Sequence, residues 1–183
     1  MRRFILTGTP GSGKTTIIRR LALDGFSVVE EAATDVSAQA LARGDTEPWR
    51  QPSYIGAIAD LQRERQMQAS GETDDVQFHD RSVICTAALA AFLGYRLSDA
   101  VSRELKRVET EAIFQKRVFF IMNLGFITPT AARRISFEDA LRFEHVHERT
   151  YRDFGYELVP IASGTLLERV DAVRQAIWPR QSG

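Results

Sequence analysis

Phe4-Ile5-Leu6-Thr7-Gly8-Thr9-Pro10-Gly11-Ser12-Gly13-Lys14-Thr15-Thr16 is the stretch that decides the architecture of this chain. Its apolar opening is short and runs straight into glycine, the mark of a buried strand rather than a helix. Ile17, Ile18, Leu21 and Ala22 then recur at helical spacing, and Gly25 stands where a helix end takes a left-handed residue. Strand, glycine loop and helix therefore follow one another without a break. The spacing Gly8-x-x-x-x-Gly13-Lys14-Thr15 is the Walker A pattern. Glycines let backbone N–H groups wrap phosphates with no Cβ in the way, and the helix adds its positive N-terminal end. Gly8, Thr9, Pro10, Gly11, Ser12, Gly13, Lys14, Thr15 and Thr16 are thus expected to cradle a nucleoside triphosphate. Lys14 is expected on the β- and γ-phosphates and the Thr15 hydroxyl on Mg²⁺.

The same alternation continues outward. Phe26 to Val29 reads as a second strand, followed by Glu30-Glu31 and a helix over Ala32 to Ala42. Gly44 to Pro52 is a loop by its turn chemistry, and a helix spans Ser53 to about Ser70. Val76 to His79 is a third strand that reaches Asp80-Arg81-Ser82, with helical periodicity over Val83 to Phe92 and Asp99 to Phe114. Val118 to Met122 is the fourth strand. The segment 125–135 carries glycine, proline, threonines and Arg133-Arg134, and reads as a mobile lid. Ser136 with Asp139 resembles a capping box opening the next helix; Tyr156 to Ile161 is the fifth strand, and Thr165-x-x-Glu168 caps the last helix. Five strands alternating with helices predict an α/β fold of one domain over residues 1–183, with a five-stranded parallel sheet and helices on both faces. Ligands bind such sheets at the carboxyl ends of the strands. The glycine loop, Glu30-Glu31 and Asp80-Arg81-Ser82 should therefore lie together.

Composition narrows the partners. The chain has 183 residues, with 24 basic and 24 acidic side chains, so the cationic excess that nucleic acid would reward is missing. Only Lys14, Lys106 and Lys116 are lysines, and arginine makes up the rest; phosphate recognition and genome-wide codon bias both give that excess. The single cysteine, Cys85, cannot form an internal disulfide and reads as a small core residue in a reducing compartment. No apolar run approaches the ~20 residues of a membrane span, and none at the start fits a signal peptide. A soluble, cytoplasmic protein is expected, with oligomeric state open.

None of the three lysines sits in the Asn/Thr-Lys-x-Asp sequence that reads guanine, and no hydrophobic strand ends in Asp-Glu as in transport ATPases. Phe4 to Thr16, Val28-Val29-Glu30-Glu31-Ala32-Ala33, Phe78-His79-Asp80-Arg81-Ser82, Arg133-Arg134 with Phe137-Glu138-Asp139-Ala140, and Gly155-Tyr156-Glu157-Leu158-Val159 follow one pattern over nearly the whole chain. That pattern resembles the small P-loop ATPases that include the nicotinamide riboside kinase domain, and more distantly deoxynucleoside and thymidylate kinases.

The resemblance implies the three-layer P-loop NTPase fold of the nucleotide and nucleoside kinase type. It also implies ATP as donor, with GTP possible, Mg²⁺, and a small hydroxyl-bearing acceptor that it does not identify. By it, Glu31 matches the general base or acceptor-hydroxyl ligand. Asp80 matches the acid near Mg²⁺ or the acceptor, and Arg81 the arginine beside the transferred phosphate. Arg133 and Arg134 match lid arginines. Thr34 departs from the pattern, since relatives often carry arginine there. Plainer readings stand beside these: Glu31 as a carboxylate favoured at a helix N-terminus, Asp80-Arg81 as a structural ion pair, and Arg133-Arg134 as an exposed loop face. His79 reads as core, and His145 and His147, two apart on a helix, share no face for a metal. The rival function is a nucleotide-dependent regulator with no small-molecule acceptor.

Overall fold

A computed structural model describes residues 1–8, 10–69, 74–123 and 136–178. Five strands form one all-parallel sheet: β1 (Arg2–Thr7), β2 (Ser27–Val29), β3 (Val76–Asp80), β4 (Arg117–Ile121) and β5 (Glu157–Ile161), in the order β2-β3-β1-β4-β5. The glycine loop follows the central strand, where the strand order changes direction. Seven helices are described: α1 (Lys14–Leu23), α2 (Ala33–Ala42), α3 (Ser53–Gln68), α4 (Val83–Leu93), α5 (Asp99–Thr110), α6 (Phe137–Asp153) and α7 (Leu166–Ile177), with one 3₁₀ turn at Pro48–Arg50.

Strand side chains alternate between two cores, as the two-residue period of a sheet requires. Phe4, Leu6, Phe78, Phe119 and Ile121 face α1 and α7, where Ile17, Leu21, Val170, Val173 and Ile177 meet them. Ile5 and Val118 face the opposite way, into a core built by α2 to α6. The expected parallel α/β sheet with helices on both faces is therefore what the chain forms. No helix among the described residues is long and apolar enough to cross a membrane.

Of the two expected capping boxes, one holds in full and the other in its hydroxyl half. Thr165 and Glu168 make the full reciprocal capping box, and the Ser136 Oγ accepts from the Asp139 N–H at 3.0 Å. One boundary does not hold. The helix expected over Asp99 to Phe114 stops at Thr110, because Ala112 takes a left-handed φ of 47°. Ile113 N–H then closes onto Val108 O at 3.2 Å, and Ile113 and Phe114 enter the core as loop residues.

Candidate active site

The carboxyl ends of β1, β2 and β3 deliver the expected groups to one place. Gly8, at φ 131°, admits no side chain, since a Cβ there would run into the Ile121 carbonyl oxygen at the end of β4. Gly11 and Gly13 also lie in the left-handed region, at φ 87° and 84°, and Gly13 caps α1. Lys14 opens that helix buried, with Nζ donating to Ser12 Oγ at 3.3 Å, while Thr15 and Thr16 are exposed on its first turn. Burial and the nearby Arg81 charge pull the Lys14 ammonium down to about 7, against the opposing pull of Asp80 and Glu31.

Asp80 ends β3 beside Leu6 of β1, and only 5% of it is exposed. Its Oδ1 is buried with no hydrogen-bond partner among the described residues. Burial pushes the carboxyl above its ordinary range, against Lys14.

Arg81 does not pair with Asp80. Its backbone is left-handed at φ 74°, its N–H donates to Leu6 O at 3.0 Å, and its Nε donates to Glu31 Oε1 at 2.6 Å. For a residue with a Cβ such a conformation costs about 1–3 kcal/mol and persists only where surrounding contacts enforce it. Both oxygens of Glu31 accept, since Thr34 Oγ1 donates to Oε2 at 2.8 Å. Burial opposes the Glu31 charge, but Arg81, Lys14 and these hydrogen bonds together hold its carboxyl below the usual range. Arg65, on α3, donates to the Glu30 and Glu31 carbonyls at 3.1 and 2.6 Å and pairs with Asp35, fixing the turn that carries Glu31. Glu30 itself is exposed.

His147, weighed in the sequence only as a metal ligand, is part of the same cluster. It is fully buried on α6, with Nδ1 3.1 Å from Phe143 O and Nε2 3.3 Å from Arg81 Nη1. A carbonyl only accepts, so Nδ1 carries the proton and Nε2 is left to accept from Arg81. Burial, then the Arg81 charge, holds this imidazole neutral, well below the ordinary histidine range. Tyr151, one helical turn along, brings its hydroxyl within 2.9 Å of Cys85 Sγ and 3.1 Å of Ser82 Oγ, while Thr7 Oγ1 lies 3.1 Å from the same sulfur. This buried knot ties the end of β1, the Asp-Arg-Ser turn and α6 together. His79 sits in the core as expected, 2.8 Å from Gln77 Oε1 and edge-on to Phe114. Thr9, the lid segment and its Arg133 and Arg134 lie outside the described residues.

A glycine cradle, a buried lysine and a ring of charged side chains at the carboxyl edge of this sheet order define a P-loop nucleotide-binding domain with the fold of small-molecule kinases. Residues 3–169 match the family model AAA_28, described as an AAA domain, and the chain belongs to that family. Among solved structures, NadR protein in complex with NR is similar at a TM-score of 0.67 and 17% identity, over 95% of this chain and 50% of that one. NadR in complex with NAD and AMP-PNP gives 0.67 and 19%, over 95% and 49%. Deoxyadenosine kinase from M.mycoides, with products dcmp and a flexible dcdp bound, gives 0.64 and 12%, over 96% and 98%. The chain spans about half the length of the NadR chains it resembles. No curated protein matches it. The fold implied by the sequence resemblance is the fold observed.

Proposed function

We propose that the chain is a phosphotransferase that moves the γ-phosphoryl group of ATP, or of GTP, to a hydroxyl on a small nucleoside-like acceptor. The observation that carries this reading is the Glu31–Arg81 pair held beside Lys14 and the orphaned carboxylate oxygen of Asp80. A hydrolase that only positions water has less need of a prebuilt carboxylate–guanidinium pair beside the phosphate loop.

Phosphoryl transfer asks for positioning and charge neutralisation rather than covalent work from the protein. The loop N–H groups and Lys14 hold the triphosphate. Asp80 Oδ1, buried and unpartnered, and the exposed Thr15 hydroxyl are hard oxygen donors that fit Mg²⁺, an ion commonly held by one or two protein oxygens together with substrate phosphates. That ion, when bound, supplies charge neutralisation at the phosphate oxygens. Glu31 is held as a carboxylate with lowered basicity, so its part is to orient the acceptor hydroxyl through a remaining lone pair, the hydroxyl proton passing late to an oxygen of the transferred phosphoryl group. Arg81, anchored by Glu31 and His147, presents its charge to the transferring group, and Arg133 and Arg134 close over it from the lid.

The AAA-domain family supports a second reading, a nucleotide-dependent regulator with no small acceptor. The two separate in a screen of nucleosides, nucleotides and ribosides for accelerated ADP release. At least one nucleoside-like compound should raise the rate and emerge phosphorylated. A hydrolysis rate indifferent to every compound would leave the regulator.

A further inference from the structure

Arg169 belongs to no part of the machinery described so far. It lies on α7, one turn after the Thr165 cap, and only 5% of it is exposed. A cation near a helix N-terminus is disfavoured by the helix dipole. An acid should stand beside it, yet among the described residues it forms no ion pair with Asp or Glu. Its Nη2 donates to Met122 O at 3.1 Å, and its Nε is buried with no hydrogen-bond partner among the described residues. Residues 124–135, which follow Met122 closely in the chain, contain two arginines and no acid.

The guanidinium is not placed at random. Nη1 lies 2.9 Å from the point a Cβ on Gly13 would occupy, so it rests against the last glycine of the phosphate loop. Arg81 comes from the end of β3, on one side of β1; Arg169 reaches the end of β4, on the other. A buried, uncompensated charge is strongly destabilising, and burial depresses the proton affinity of this group as well. An anion at the loop would supply the missing partner.

We infer that Arg169 is a further phosphate-binding residue, completing its pairing only when a nucleoside triphosphate occupies the loop beside Gly13. This rests on the reading of the loop as a triphosphate cradle, and the test keeps the two apart.

The experiment compares the wild type with Arg169→Met and Arg169→Lys by calorimetry against a non-hydrolysable ATP analogue and against inorganic tripolyphosphate. Thermal melting is followed with and without each. Charge-assisted hydrogen bonds are worth about 10- to 100-fold in affinity. Arg169→Met should lose that much for both ligands, while Arg169→Lys recovers part of it. Without ligand, Arg169→Met should melt no lower than the wild type, since it removes a buried unpaired charge. A merely structural brace on Met122 gives the opposite: a lower ligand-free melting temperature with unchanged affinity, and that overturns the inference. Should Arg169→Met fail to fold, the Arg169 Nε–H resonance of the wild type decides, by shifting with tripolyphosphate or staying still; staying still is refutation. A wild type that binds neither ligand overturns the cradle reading and this inference together, whereas a binding wild type with an indifferent Arg169→Met overturns this inference alone.

Discussion

Two arginines, Arg169 buried and Arg81 largely so, flank the phosphate loop and differ in how the protein treats them. Arg81 meets a carboxylate 2.6 Å away and an imidazole 3.3 Å away, whereas Arg169 meets a carbonyl and leaves its Nε unanswered. One guanidinium is balanced before any ligand arrives. The other waits for its counter-charge. On the proposed reading, the difference gives them different work. A prepaired arginine is held in position for a charge that develops during reaction, which is where preorganised cations act most strongly. An unpaired one contributes when the ground-state ligand binds.

The largest effect should come from breaking the balanced side. Arg81→Gln is expected to slow turnover on the order of 10³-fold, the scale of a transition-state arginine, with little change in affinity for the ATP analogue. It should also lower stability by about 2 kcal/mol, less than for a fully buried pair because Glu31 retains some solvent contact. Urea unfolding checks the second part, and an undiminished midpoint would mean that the pair does not hold the site together.

The balanced side also depends on neutral histidine, and acid should reveal it. His147 lies well below the ordinary histidine range and burial takes His79 down to about 3. As pH falls below about 6.5 the unfolded chain takes up protons on both rings while the folded chain does not, so stability is lost with acid. The loss reaches about 1.4 kcal/mol per pH unit per histidine, fully present as stability above pH ~6.5 and drained between there and the folded values. Unfolding curves at pH 7.5, 5.5 and 4.5 measure it, and His147→Gln should make the acid limb shallower by one histidine's share. Arg169 has no titrating partner among the described residues, so Arg169→Met should leave that slope alone.

Legibility followed sequence distance. Gly8 to Thr15 and Asp80-Arg81-Ser82 could be read because their chemistry is contiguous, and the five strands because short apolar runs alternated with helical spacing. The Glu31–Arg81 pair joins residues 50 apart, so the sequence left Glu31 open between helix-terminus carboxylate and acceptor ligand and offered Asp80 as the partner of Arg81. His147 was weighed against His145 for a shared metal face, while its contact is with an arginine 66 positions upstream. Arg169 was not singled out in the sequence; its burial and its approach to Gly13 distinguish it. Ala112 ended α5 early through a left-handed turn that its residue type does not announce. Thr34, read as a departure from the kinase pattern, turns out to hold the second oxygen of Glu31.

That last contact gives the smallest expected effect. Thr34→Ala removes one hydrogen bond to a partly exposed carboxylate and should lower stability by about 0.5–1 kcal/mol, leaving Arg81 in place. A loss as large as that of Arg81→Gln would show that Thr34, rather than Arg81, is what holds Glu31.

Calorimetric titration of the wild type and of Lys14→Ala with a non-hydrolysable ATP analogue and Mg²⁺ addresses the central claim most directly. The folded wild type should bind tightly and folded Lys14→Ala should show no tight binding, because the proposed reading puts the buried ammonium on the β- and γ-phosphates. Equal affinity in the two folded proteins would contradict it.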